Sequence, residues 1–151
     1  MGYFLQAIIS TIPVLKARYS DFKSAVVVPL TDDFALIPIT DELLDEVGAS
    51  GSSGKFYRYT PEVANWVRAI STYGAVAYIE AEFFGGTGGQ IAVVWSSGDE
   101  ILPPTQETGA INIALQLLGV SRGSSLDEFE AVGLPRHRDT DDWIDDALPR
   151  Q

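Results

Sequence analysis

The sequence predicts an α+β domain, a mainly antiparallel sheet with helices packed on one face. Three observations carry this. Apolar runs alternate at period two and are punctuated by Gly, Pro and Asp turns. The helical segments are short and bear their own start and stop residues. Strands and helices mix irregularly, with hairpins outnumbering βαβ units. At 151 residues the chain reads as one domain spanning 1–151, able to bury a single core.

Residues 3–10 read as the first strand; the run is short, broken by Gln6 and without a basic leader, so it is not a signal peptide. Residues 13–22 follow as a helix with Pro13 in its first turn. Residues 25–30 and 34–39 form two strands around Thr31-Asp-Asp33, and Pro29 and Pro38 put that pair near a sheet edge. Thr40 caps a helix over 41–47 that Gly48 stops, and 49–55 is a flexible loop by composition. In 60–73, Thr60 is the N-cap and Pro61 the first helical residue; Val63, Trp66, Val67 and Ile70 make one apolar stripe. A long hairpin runs from 75 to 95 around Gly85-Gly-Thr-Gly-Gly89, then a short strand over 100–102 and a helix over 108–118 closed by Gly119. The segment 121–151 is polar and helical. Ser125 and Glu128 suggest a capping box, and a helix over 140–148 buries Trp143, Ile144 and Ala147.

The hairpin is the informative element. One face of its first arm carries Ala75, Ala77, Ile79, Ala81 and Phe83, apolar throughout, and the helices over 60–73 and 108–118 are its expected cover. The other face carries Val76, Tyr78, Glu80, Glu82 and Phe84. A five-residue turn would set Phe84 opposite Gln90, Glu82 opposite Ala92 and Glu80 opposite Val94. Two carboxylates would then stand side by side on an otherwise apolar face. Such a pair can simply face water, bind a cation or a basic partner, or split acid and base roles.

The formal charge of −11 opposes nucleic acid, anionic lipid and phosphate ligands, and attracts basic partners. It also serves plain solubility. No stretch is long and apolar enough for a membrane span. The absence of cysteine excludes disulfides, thiolate metal sites and cysteine nucleophiles, and makes a cytoplasmic location the expectation. His137 is the single histidine; beside Arg136, Arg138 and Asp139 it suits a salt bridge better than a general base, and the arginines could dock the segment onto the acidic hairpin. The aspartates between 139 and 146 do not form a calcium loop, since Ile144 stands where the glycine is required. No serine lies in a nucleophile elbow, and the glycine turn lacks the lysine of a phosphate loop. No metal site and no cofactor is expected.

The segments Tyr78-Ile-Glu-Ala-Glu-Phe-Phe-Gly-Gly-Thr-Gly-Gly-Gln90 and Arg136-His-Arg-Asp-Thr-Asp-Asp-Trp143 resemble an uncharacterised family of small acidic bacterial proteins, as do residues 27–30, 37–40 and 111–119. In size and charge the chain is also similar, generically, to immunity proteins of toxin systems. That likeness carries over no catalytic residues and implies a basic protein partner, a toxin. The expected function is therefore a non-catalytic interaction protein that binds through Tyr78, Glu80, Glu82, Phe84 and Gln90. The alternatives are a small hydrolase or metal-dependent enzyme using Glu80, Glu82 and His137, and a homo-oligomeric scaffold that associates through the Tyr78 and Phe84 face.

Overall fold

The computed structural model describes residues 2–48, 58–84 and 87–149; the expected loop over 49–55 and the first two of the five glycine-tip residues lie outside them. Six strands, β1 (Tyr3–Thr11), β2 (Val28–Pro29), β3 (Phe34–Pro38), β4 (Val76–Phe84), β5 (Thr87–Ser96) and β6 (Asp99–Gln106), form one sheet in the order β2-β3-β1-β4-β5-β6. Every pairing between them is antiparallel. Among the described residues five α-helices accompany the sheet: α1 (Ile12–Lys16), α2 (Asp41–Val47), α3 (Pro61–Ile70), α4 (Ala110–Leu117) and α5 (Glu128–Val132). Short 3-10 helices occupy Tyr19–Asp21, Leu134–Arg136 and Thr140–Asp146. The α+β class and the antiparallel sheet are as the sequence predicts.

The helix signals work as local chemistry requires. Thr40 Oγ1 accepts from Leu43 N at 3.2 Å, and Thr60 Oγ1 accepts from Val63 N at 3.1 Å. At α5 the cap is Asp127, whose Oδ1 accepts from Glu130 N at 2.9 Å, and not the expected Ser125, which sits in a turn closed by its own amide on Arg122 O. The C-terminal helix expected over 140–148 is a 3-10 helix capped by Asp139; Trp143 is fully buried, whereas Ile144 stays exposed.

The helices divide between the two faces of the sheet, which corrects the expectation of one covered face. Leu5, Ala7, Ile9, Ala77, Ile79, Ala81, Ala92 and Val94 lie in one core with Ala110, Ile111, Ala114 and Leu115 of α4, together with Val132 and Trp143. Small alanines stand on both the strands and α4 in this core. Ile8, Ile37, Tyr78, Ile91 and Val93 lie in a second core with the α3 stripe Val63, Trp66, Val67 and Ile70, Leu15 of α1 and Leu43 of α2. The reason is in β4 itself. Both of its alternating side-chain sets are largely apolar, and a strand of that kind is stable only when covered twice.

The hairpin register also differs from the expected one. Phe84 pairs with Thr87, Glu82 with Gly89, Glu80 with Ile91 and Tyr78 with Val93. This is a three-residue slip, and an odd slip exchanges the faces of the second arm. Ala92 and Val94 therefore join the α4 side, while Ile91 and Val93 join Tyr78. Pairing continues this far because Gly88 permits it: its φ is +136°, and a Cβ there would sit 1.8 Å from Glu82 O.

β6 runs beyond the expected 100–102 to Gln106, and its two prolines, Pro103 and Pro104, occupy an outer strand where no donor is needed. At the opposite edge, β2 is closed off by Leu148 N on Val27 O at 2.8 Å and by Arg136 Nη2 on Pro29 O at 2.6 Å. β3 pairs with β1 only over residues 7–11. Residues 138–140 fill the place left beside the first half of β1, through Phe4 N to Arg138 O at 2.8 Å and Gln6 N to Thr140 Oγ1 at 3.1 Å.

Candidate functional site

The two hairpin glutamates share a face of β4, as the alternation requires, but their surroundings separate them. Glu80 is 7% exposed and its Oε2 accepts from Tyr78 OH at 2.7 Å and from Arg58 N at 2.8 Å. Glu82, two residues on and at the open end of the strand, is exposed. Tyr78 has no exposed surface; burial, then the Glu80 charge, pushes its hydroxyl well above the ordinary tyrosine range. Its ring lies 4.7 Å from that of Tyr59 under the cover of the α3 core. The expectation of Tyr78 as an open anchor, for a partner or for a second copy, is thereby corrected. The side chain of Phe84 lies outside the described residues.

Gln90 is also corrected. It pairs with Ala81 and so faces α4, where its Oε1 accepts from Ile111 N at 2.8 Å. α4 begins after Gly109, which has no side chain to offer, so Gln90 supplies the missing cap from the neighbouring strand. His137 is not brought to the carboxylates. Its Nε2 lies 2.7 Å from Asp146 Oδ2, and its ring stands edge-on to Trp143 at 4.8 Å, in the core on the α4 side. The imidazole hydrogen bond holds the Asp146 carboxyl below its usual range. Arg136 stacks on the same indole at 5.1 Å and reaches Asp146 at 3.5 Å; it docks the C-terminal segment there and not on the hairpin.

Glu80 is thus first a structural acceptor. Glu80→Leu is expected to destabilise the fold by about 3 kcal/mol, because the buried Tyr78 hydroxyl and the Arg58 amide lose their acceptor. Glu80→Gln, which keeps an acceptor oxygen, is expected to cost less than half of that. Urea denaturation of the two variants checks the ratio.

Around this acceptor the structure assembles a surface that the sequence does not announce. Gln6 stands opposite Glu80 on β1, only 2% exposed, with Oε1 3.1 Å from Thr140 Oγ1. Gln6, Glu80, Glu82, Gly88, Gly89 and Gln106 line an open concavity of about 230 Å³ between β1, β4, β5 and β6. Arg58 carries the arrangement sideways: its amide is on Glu80, its Nη1 on Ile39 O at 2.5 Å, and its Nη2 on Asp41 Oδ1 at 2.6 Å. Next to it Asp141 is held above the usual carboxylate range, by partial burial first and then by the charges of Asp139, Asp41 and Glu42, with Arg58 acting in the opposite sense. Carboxylates from α2 and from the 139–141 turn therefore share one surface, with Arg58 paired to Asp41 among them. Gln6 had a readable signal, a lone polar residue inside an apolar strand. Arg58 and Asp41 had none, since their meeting depends on tertiary structure.

Among the described residues no three His, Cys, Asp or Glu side chains are grouped to hold a metal ion, and no helix is long and apolar enough to cross a membrane. None of the family models, curated proteins and solved structures compared with this chain matches it.

Proposed function

We propose that this chain is a non-catalytic interaction protein of the cytoplasm that binds a basic protein partner through its acidic surface, as the immunity protein of a toxin pair does. One observation carries the reading: Asp41 and Glu42 of α2 meet Asp139 and Asp141 from a distant segment, and partial burial first and then these neighbouring charges hold the Asp141 carboxyl above its usual range. Crowding like charges opposes folding, so a surface that keeps them gains when a cation arrives. The burial of Glu80 in a hydrogen-bonded structural role supports the non-catalytic side, because a carboxylate held by Tyr78 and Arg58 is not poised to exchange protons with a substrate.

The test is affinity capture from lysate at low and high salt, followed by association kinetics with the protein captured. The comparison variant is Glu42→Lys/Asp141→Lys, both positions being exposed. The expected partner is basic, and its association rate falls by about tenfold or more in the variant and falls again with added salt. A partner of neutral or acidic charge, or a rate indifferent to salt and to the variant, overturns the proposal.

A further inference from the structure

We infer that the concavity lined by Gln6, Glu82 and Gln106 is a socket for one guanidinium group, an arginine side chain of the basic partner; the inference rests on the basic-partner reading. Its lining excludes other occupants. At about 230 Å³ it is smaller than the ~300–1,000 Å³ of pockets for drug-sized ligands, so it takes a side chain and not a cofactor. Glu80 and Glu82 repel anions, and among the described lining residues only Ala81 and Ile91 would favour an apolar group.

Three features suit a guanidinium. Glu82 offers an exposed carboxylate at the rim, the acceptor a planar fork engages in two parallel bonds. Gln106 adds an exposed amide from β6 on the far side. Gln6 is the third, and it is independent of the acids: it is 98% enclosed by its 2% exposure, one end of its amide meets Thr140 Oγ1, and the other has no hydrogen-bond partner among the described residues while lining the concavity. A hydroxyl both donates and accepts, so Thr140 can hold either end of the amide. Gln6 can therefore turn its carbonyl toward a cation without losing its anchor. A guanidinium is also more weakly hydrated than an ammonium and enters such a half-enclosed site at smaller cost.

The structure supplies the test variant as well. Gly89 pairs with Glu82 and so faces the concavity; a Cβ built there meets nothing within 4 Å, and its backbone is outside the left-handed region. Gly89→Leu should fill the socket and leave the strand intact. The experiment is an NMR titration of the whole chain with N-acetyl-arginine amide, with the lysine and the neutral citrulline analogues as comparison probes. The arginine probe is expected to give saturable shifts at Gln6, Glu82, Gly88, Gly89 and Gln106 with a Kd of about 1 mM, the range of a single anchored group. The citrulline analogue should give none, Gly89→Leu should abolish the response, and Glu82→Gln should weaken it about fivefold or more. Unsaturable shifts, or equal binding by Gly89→Leu, overturn the socket; equal binding of the lysine probe overturns its assignment to guanidinium. Because no partner is needed, a socket that fails here is distinguishable from a partner that fails capture, and the Glu42→Lys/Asp141→Lys variant should bind the arginine probe while losing the partner.

Discussion

Between about pH 9 and pH 11 the folded state is expected to lose about 4 kcal/mol, roughly 1.4 kcal/mol from each of three buried tyrosines per pH unit above their ordinary value near 10. Tyr78, with Glu80 beside it, is pushed well above that value by burial and by the carboxylate charge. Tyr59 is pushed up to about 12, by burial first, with the Glu100 charge adding to it and the Trp95 indole, which donates to its oxygen at 2.9 Å, opposing it. Tyr3 is raised too, again by burial, with Arg138 acting in the opposite sense while the hydroxyl donates to Leu134 O at 2.9 Å. The sign follows from which state keeps its protons. Above pH 10 the unfolded chain releases three that the folded chain retains, so unfolding gains and stability falls as pH rises; below 10 the contribution is complete. The Tyr59 share levels off near pH 12. Urea midpoints at pH 9, 10 and 11 check the slope, and Tyr78→Phe should remove about a third of it. A flat profile across that range would show that these hydroxyls ionise in the folded state.

Removing the Trp143 side chain should be as damaging. Trp143→Ala is expected to cost about 4 kcal/mol, within the span for a large aromatic cut back in a core. The indole is wholly enclosed, is capped by Arg136 and His137, and ties the 3-10 helix of Thr140–Asp146 to the core shared with α4. Its Nε1 is buried with no hydrogen-bond partner among the described residues. Trp143→Phe therefore gives up area but no hydrogen bond, and it relieves a desolvated donor. It should cost under about 2 kcal/mol. Chemical denaturation of both variants decides the matter; equal losses would mean that the indole ring system, not the volume it fills, holds the segment.

How far the sequence could be read depended on whether a feature was local. The Thr60-Pro61 start and the apolar stripe of α3, the Thr40 cap and the turn at Thr31-Asp-Asp33 are decided by neighbours within four residues, and all are present. The hairpin register is not local. Five glycine-tip residues admit several loop lengths, and only packing against α4 on one side and α3 on the other selects the pairing of Phe84 with Thr87. Once the register slips by three, Gln90 turns from the carboxylate face to the α4 cap and Ile91 takes its place. Tyr78 and Glu80 were visible as residues but not as a buried pair. A carboxylate in a strand reads as a water-facing position unless its donors are known, and one donor is the backbone amide of Arg58, which any residue but proline could supply. The converging acids of α2 and the 139–141 turn lie about a hundred positions apart in sequence, and no periodicity links them.

The placing of residues 138–140 beside β1 has a consequence for how the chain is made. Phe4 and Gln6 leave the ribosome more than 130 residues ahead of the groups that receive their amides, Arg138 O and Thr140 Oγ1. At synthesis rates of about 5–20 residues per second, that side of the nascent first strand waits on the order of ten seconds for its partner. Tyr3 closes the same way, since its hydroxyl acceptor, Leu134 O, belongs to the late segment. The first half of β1 can pair with β4 during synthesis, but its other side cannot close before the late segment arrives. That side of β1 stays without its partner until residues 134–140 have been made.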